Sequence, residues 1–292
     1  MVILKTGANE VFEKLPTQIL TMLQCVDNLL IFSDLEQQIG AYHIHDALKD
    51  IADEVKDGNP DFDYYRTLQE YHKTGQNIGT IRDETGESAW NLDKYKFLPM
   101  LEKTWEMRPN KKWYVYIEAD TYLVWSNLLL YLDRLDPTEL VYRGSPTYSN
   151  DEAFAHGGSG YILSGAAMTK VFGNRPEVAA KYDPKVKYES MGDYMLMKAL
   201  REEGVELKAV WPILQGEKPA TIPFGGGPDN GARHWCQPLL TMHHISASEI
   251  SQVWRYELER TNPMVRIPLT SCRATIANLH HVGTLFDGGI VP

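Results

Sequence analysis

Two carboxylates stand two residues apart where a β-rich run ends. Residues 111–125 read KKWYVYIEADTYLVW, and WYVYI leads straight into Glu118, Ala119 and Asp120. Two acids at a strand end lose hydration and repel each other unless a cation lies between them. Oxygen ligands suit Mg²⁺ or Mn²⁺, and such an ion often takes only one or two protein carboxylates, with substrate phosphates completing its shell. The competing reading is structural: one acid caps the following helix and the other is solvated.

Alternating strand and helix patterns must position this pair. VILK reads as a strand, followed by EVFEKLPTQILTMLQ, a helical pattern interrupted by Pro16. DNLLIFSD is a short apolar run of buried parallel-strand type, ending at Ser33 and Asp34. HIHDALKDIADEVKDG predicts a helix stopped by Gly58, residues 58–88 predict a long loop, and WNLDKYKFLPMLEKTWEM predicts a helix broken near Pro99. After the WYVYI strand come a helix (SNLLLYLDRL), a strand (VYRG), a glycine loop entering a strand (FAHGGSGYILSG), a helix (MGDYMLMKALREEG) and two strands (VELKAV, LLTMHHI). SASEISQVWRYELER then opens with Ser246 and Glu249 at capping-box spacing. This order predicts an α/β fold with a mostly parallel central sheet flanked by helices. In such sheets ligands bind beyond the carboxyl ends of the strands, where Asp34, Glu118 and Asp120 fall.

Composition narrows the function classes. The chain has 292 residues, 43% hydrophobic and 23% charged, which is ordinary for a globular protein. Its net charge of −10 argues against a nucleic-acid partner, which needs a basic footprint. No apolar run approaches the roughly 18 residues of a membrane span. The chain opens on a strand pattern where a signal peptide would stand, so either a cytosolic protein or a chain lacking an upstream targeting segment is expected. Cys25, Cys236 and Cys272 show no zinc-knuckle spacing; one disulfide with one free thiol, or three thiols, both fit. P-loop, GxSxG, HExxH and GxGxxG motifs are all absent.

Taken in order, these segments resemble the fringe and core 1 β1,3-galactosyltransferase-like family of inverting glycosyltransferases, most closely its fungal members. Lys5-Thr6 ends the first strand, LLIFSD is similar to the second, and WYVYIEADTYL resembles the family's DxD segment. FAHGGSGYILS resembles its glycine-rich acceptor-side segment, MGDYMLMKAL its acidic helix start, and LTMHHI its late histidine strand. The resemblance spans about residues 2–260. It implies a Rossmann-like GT-A fold over residues 1–292. Residues 1–125 would form the nucleotide-sugar half and 126–260 the acceptor half, with 261–292 as an extension. It also implies a UDP-sugar donor, a glycan or glycoprotein acceptor, and Mn²⁺ (or Mg²⁺). Location in the Golgi lumen or secretory pathway follows by resemblance, as does a Cys236–Cys272 disulfide in an oxidising lumen. Two departures stand out: DxD is ExD, through Glu118, and the base helix carries Gly192-Asp193 where two acids are usual.

The resemblance assigns roles. Asp120 is the main metal ligand, Glu118 assists, and a histidine from LTMHHI completes the protein set. His243 and His244 point to opposite faces of a strand, so at most one should reach the metal, with His243 favoured. Asp193, in the first turn of its helix, is the general base, with Glu189 as alternative. Gly157, Gly158 and Gly160 let backbone approach a sugar. Lys5 and Thr6 would contact uridine or ribose, and Asp34 would bind the uridine end. Apart from the resemblance, Trp211 has two readings: a platform for a sugar ring, or, as is commoner for tryptophan, a core residue. Lys94 and Lys96 read as a solvated helix face rather than phosphate ligands. The expected activity is inverting transfer of a hexose (galactose or N-acetylglucosamine) to an acceptor hydroxyl, with β1,3 linkage. The alternatives are a relative that binds glycan or nucleotide without transfer, and an unrelated metal-dependent hydrolase or nucleotidyltransferase needing further acids around Asp120.

Overall fold

The first strand takes VILK, and its four side chains alternate between two buried faces. The computed structural model describes residues 1–222 and 237–261, apart from 82, 84, 85, 174 and 176. In chain order the first half runs β1 (Val2–Lys5), α1 (Val11–Leu20), β2 (Leu29–Ser33), β3 (Gln37–Ile39), β4 (Tyr42–Asp46), α2 (Asp53–Lys56), α3 (Asp63–Thr74), α4 (Glu87–Asp93), α5 (Phe97–Met107) and β5 (Trp113–Glu118). The second half runs β6 (Tyr122–Leu123), α6 (Trp125–Leu132), β7 (Tyr142–Gly144), β8 (Pro146–Ser149), β9 (Glu152–Ala155), β10 (Tyr161–Ser164), α7 (Gly165–Phe172), α8 (Val178–Val186), α9 (Gly192–Glu202), β11 (Leu207–Ala209), β12 (Thr241–Met242) and α10 (Ala247–Thr261).

Eight strands form the central sheet in the order β11-β7-β10-β5-β1-β2-β4-β3. β1 is parallel to β2 and β5, β2 to β4, and β7 to β11, while β10 is antiparallel to its two neighbours and β3 to β4. The sheet is therefore mostly parallel, with β3 and β10 reversed. Period-2 alternation divides the core. Ile3, Phe32, Tyr114 and Tyr116 pack on one face beneath α3, α4, α5, α7, α8 and α9. Val2, Leu4, Ile31, Val115 and Ile117 pack on the other beneath α1, α6 and α10. No helix among the described residues is long and apolar enough to cross a membrane.

Several elements differ from the sequence expectation. YHIHD forms β4 rather than the start of a helix, because Ile44 pairs with Ile31 in β2 while Tyr42 and His43 pair with β3. Only DEVK of that segment is helical. The expected loop at 58–88 contains α3, whose Tyr64, Tyr65 and Leu68 are buried on one stripe of an otherwise polar helix. Each such burial contributes about 1.5–3 kcal/mol, enough to outweigh a polar composition. Pro99 does not break its helix; it occupies the first turn of α5, where proline is tolerated, and the break falls at residues 94–96. Pro16 lies within α1. The capping box forms as expected: the Ser246 amide donates to Glu249 Oε2 at 2.9 Å, and the Glu249 amide donates to Ser246 Oγ at 3.3 Å.

Candidate active site

The chain winds from β1 outward to β2 and β4, then returns to place β5 on the other side of β1. The crevice beyond this reversal is where open α/β sheets bind ligands. A cleft of about 550 Å³ opens there. Its lining includes Lys5, Thr6, Asp34, Glu118, Asp120, Gly158, Asp193, His243 and His244.

Parallel register sets Lys5 directly beside Glu118. Lys5 Nζ lies 3.1 Å from Glu118 Oε1, pairs with Asp93, and sits 4.3 Å from the centre of the Phe97 ring. Glu118 Oε1 also accepts from the Tyr116 hydroxyl at 3.0 Å. Beside this pair, Lys96 Nζ lies 2.8 Å from Asp93 Oδ1 and 3.5 Å from Asp34 Oδ2, and donates to the Thr6 carbonyl at 3.1 Å. Burial alone would raise the Asp93 pKa, but the Lys5 and Lys96 ammonium groups outweigh it and hold the carboxyl below its ordinary value. Lys96 is 2% exposed, so its reading as a solvated face is corrected; Lys94 is likewise buried and pairs with Asp61 at 2.9 Å. The segment between α4 and α5 is an inner wall of the cleft. Asp34 is 1% exposed, with one oxygen accepting the Ala8 amide at 2.6 Å and the other facing Lys96. It orders that wall rather than offering a free carboxylate to a nucleoside.

Across the cleft, β6 and β12 pair antiparallel, with Leu123 opposite Thr241 and Tyr122 opposite Met242. Continuing that register carries His243 and His244 to the level of Thr121 and Asp120. The Ile245 amide donates to the Asp120 carbonyl at 3.1 Å and holds the segments together. One ligating atom from each of Asp120, His243 and His244 lies within 4.8 Å of the others. This corrects the expectation that only one histidine reaches the site. The strand ends at Met242 and His244 adopts φ 56°, so strand alternation no longer governs where its ring goes. His243 Nε2 is 3.2 Å from Asp120 Oδ1 and 3.9 Å from Glu118 Oε2. Donors about 3 Å apart match neighbouring positions around an ion with bonds near 2.1 Å. His243 Nδ1 is buried without a hydrogen-bond partner among the described residues. One carboxylate and two imidazoles suit Mn²⁺ or another first-row dication. Burial would raise the Asp120 pKa, yet the His243 hydrogen bond and charge, with Lys14 at 3.5 Å, hold it well below the ordinary carboxylate value.

Asp193 is the second residue of α9, where the helix dipole favours an anion. Its Oδ2 accepts the Gly157 amide at 2.9 Å and its Oδ1 the Tyr194 amide at 3.0 Å. Burial nevertheless pushes its carboxyl up to about 6, with Lys5 and the two amides opposing and Glu118 adding to the rise. A carboxyl poised near neutrality can accept a proton from a hydroxyl. Gly192 leaves no room for a second acid, since a Cβ there would lie 2.8 Å from Lys94 Cα and collide with Phe97. Glu189 pairs with Lys198 at 3.2 Å and is not part of the cleft lining.

The glycines serve the site itself. A Cβ on Gly158 would collide with the His243 ring, and one on Gly157 would meet Phe97 at 3.0 Å and Glu118 Oε1 at 3.2 Å. Gly160, at φ +77°, packs on the Tyr116 carbonyl. Gly157 and Gly160 are therefore spacers between site residues, and Gly158 alone of the three lines the cleft. Trp211 stands 38% exposed outside the cleft lining.

Sequence reasoning missed Asp93, Lys14 and His156, all in the lining. His156 accompanies Gly157 in the glycine loop, its ring 5.6 Å from that of His243 and its Nδ1 2.8 Å from Ser159 Oγ. The signals were present: Asp93 precedes Lys96 by three residues, and His156 opens the glycine run. Cys25 is disulfide-bonded, so it is not a free thiol. That bond takes one of the chain's two other cysteines and so excludes the expected Cys236–Cys272 pairing, and the extension at 262–292 lies outside the described residues. Comparison with known proteins finds no matching family model and no matching curated protein.

Proposed function

We propose that this chain is a metal-dependent, inverting GT-A glycosyltransferase of the fringe-like family. It would move a hexose, galactose or N-acetylglucosamine, from a UDP-sugar to a hydroxyl of a glycan or glycoprotein acceptor, by β1,3 linkage. One observation carries the reading: the Asp120, His243 and His244 cluster shares a single cleft at the winding reversal with the buried carboxyl of Asp193.

Asp120, His243 and His244 would hold Mn²⁺, which when bound supplies positive charge to the nucleotide diphosphate. The chain's own residues do the rest. Lys5 is fixed by Asp93 and Glu118, so its ammonium keeps one position beside the metal ligands. Asp193 takes the acceptor hydroxyl proton, its deprotonated form set by the opposed effects of burial and the Gly157 amide. Trp90 and Met191, also in the lining, provide apolar surface for a sugar ring.

Calorimetric titration of UDP with Mn²⁺, with EDTA, and on Asp120→Ala tests the proposal. Binding should require Mn²⁺ and fall at least ~100-fold in the variant. UDP binding that ignores both chelator and substitution would overturn it. The second reading, binding without transfer, is favoured by one feature: Glu118, the first acid of ExD, is engaged by Lys5 and Tyr116. Tight Mn²⁺–UDP binding without UDP release from any UDP-hexose, with or without acceptor, would select it.

A further inference from the structure

Outside the cleft, a second group of ligating side chains stands near the far edge of the sheet. His43 and His45 are two residues apart on β4, so both imidazoles leave the same face of the strand. Their ring centres are 4.4 Å apart. Glu36, between β2 and β3, reaches across to them. Its Oε1 contacts His43 Nε2 and lies 4.0 Å from His45 Nδ1, while its Oε2 accepts the Asp46 amide at 3.0 Å. One donor atom from each of the three residues lies within 4.8 Å of the others. Four-coordinate Zn²⁺ with bonds of about 2.1 Å separates its ligands by about 3.5 Å, so the Glu36–His45 separation of 4.0 Å closes by only about 0.5 Å while the direct Glu36–His43 contact opens to admit the ion.

We propose that Glu36, His43 and His45 form a second metal site, for a nitrogen-seeking dication of the Zn²⁺ type. Two imidazoles with one carboxylate favour such an ion over Mg²⁺ or Ca²⁺. Glu36 and His43 are 47% and 48% exposed, which leaves an entry path and an open coordination position for water. The Asp46 amide orients Glu36 in the way that outer-shell partners orient metal ligands. A bound ion ties the connection after β2 to β4. That connection begins at Asp34, which orders the cleft wall, so the site braces the wall from outside without belonging to it.

Zn²⁺ titration into the full chain without a polyhistidine tag tests this. His43→Asn should remove one equivalent of Zn²⁺ and Glu36→Gln should weaken that equivalent at least ~10-fold, both retaining Mn²⁺-dependent UDP binding. Asp120→Ala should keep the equivalent. Saturating Zn²⁺ should also raise the melting temperature of the wild type several degrees more than that of His43→Asn. Unchanged stoichiometry and affinity in both edge variants would overturn the proposal, as would loss of the same equivalent in Asp120→Ala.

Discussion

Asp193 combines two demands that conflict. Its carboxyl is almost fully buried, and burial raises its pKa to about 6 against an unfolded value near 3.8. The native state then binds more protons than the unfolded chain between those values, so its stability falls as pH rises through that window. Asp193→Asn should therefore melt higher than wild type at pH 8. The gain is up to about 3 kcal/mol before deducting a lost accepted hydrogen bond, and it should vanish near pH 4. Turnover in the proposed transfer should drop by at least ~100-fold in the same variant. In the wild type, turnover should decline below about pH 6 as Asp193 takes up its proton. A pH series of melting curves and initial rates measures both, and a variant that is both less stable at pH 8 and fully active would exclude the role.

At the scale of elements, the loop between β9 and β10 holds the site together. Thr121 Oγ1 donates to the Gly158 carbonyl at 2.8 Å, and Thr241 Oγ1 donates to the Ser159 carbonyl at 2.6 Å. The loop is thus pinned from both the β5 and the β12 sides while the Gly157 amide binds Asp193. Gly158→Ala should displace His243 rather than unfold the chain, because a ring at a cleft wall moves more readily than the pinned backbone. Mn²⁺ affinity should fall about 10–100-fold, as for other changes behind a metal ligand, with the melting temperature lowered by only a few degrees. Wild-type affinity in this variant would show that His243 is not a ligand. The elements themselves were unequally legible. β5, α9 and the capping box of α10 follow from pattern, because apolar periodicity and side-chain caps are local. β4 and α3 did not, because the first depends on pairing with β2 and β3 and the second on a narrow stripe meeting the core.

At the scale of the whole molecule, two hydrophobic layers enclose the sheet, and one contains a charge unrelated to the cleft. Asp183 on α8 is buried, with one carboxylate oxygen unpartnered among the described residues. Burial, reinforced by Glu102, raises its pKa to about 7. The sign matches that of Asp193: stability is lost as pH rises from about 4 toward 7. Asp183→Asn should stabilise the chain at pH 8, by about 1–3 kcal/mol, and have no effect on Mn²⁺ or UDP binding. Denaturant midpoints at pH 5 and pH 8 check this. An equal shift at both would mean that the effect is packing, not ionisation.

Residue order alone determined that the chain alternates strand and helix, that acids end the second strand and β5, and that an acid opens α9. These are local properties of periodicity and spacing. Tertiary structure decided which of those groups meet. The parallel register of β1 and β5 brought Lys5 to Glu118 and left Asp120 to the histidines. The end of β12 at Met242 and the left-handed turn at His244 brought two imidazoles to one carboxylate, where strand alternation allowed one. Packing of α4 and α5 against the sheet buried Lys96 among Asp34, Asp93 and the Thr6 carbonyl, converting an apparent solvent face into a cleft wall. Partners as distant in the chain as Lys96 and Asp34, or His243 and Asp120, meet through strand order and helix docking, which no local pattern encodes.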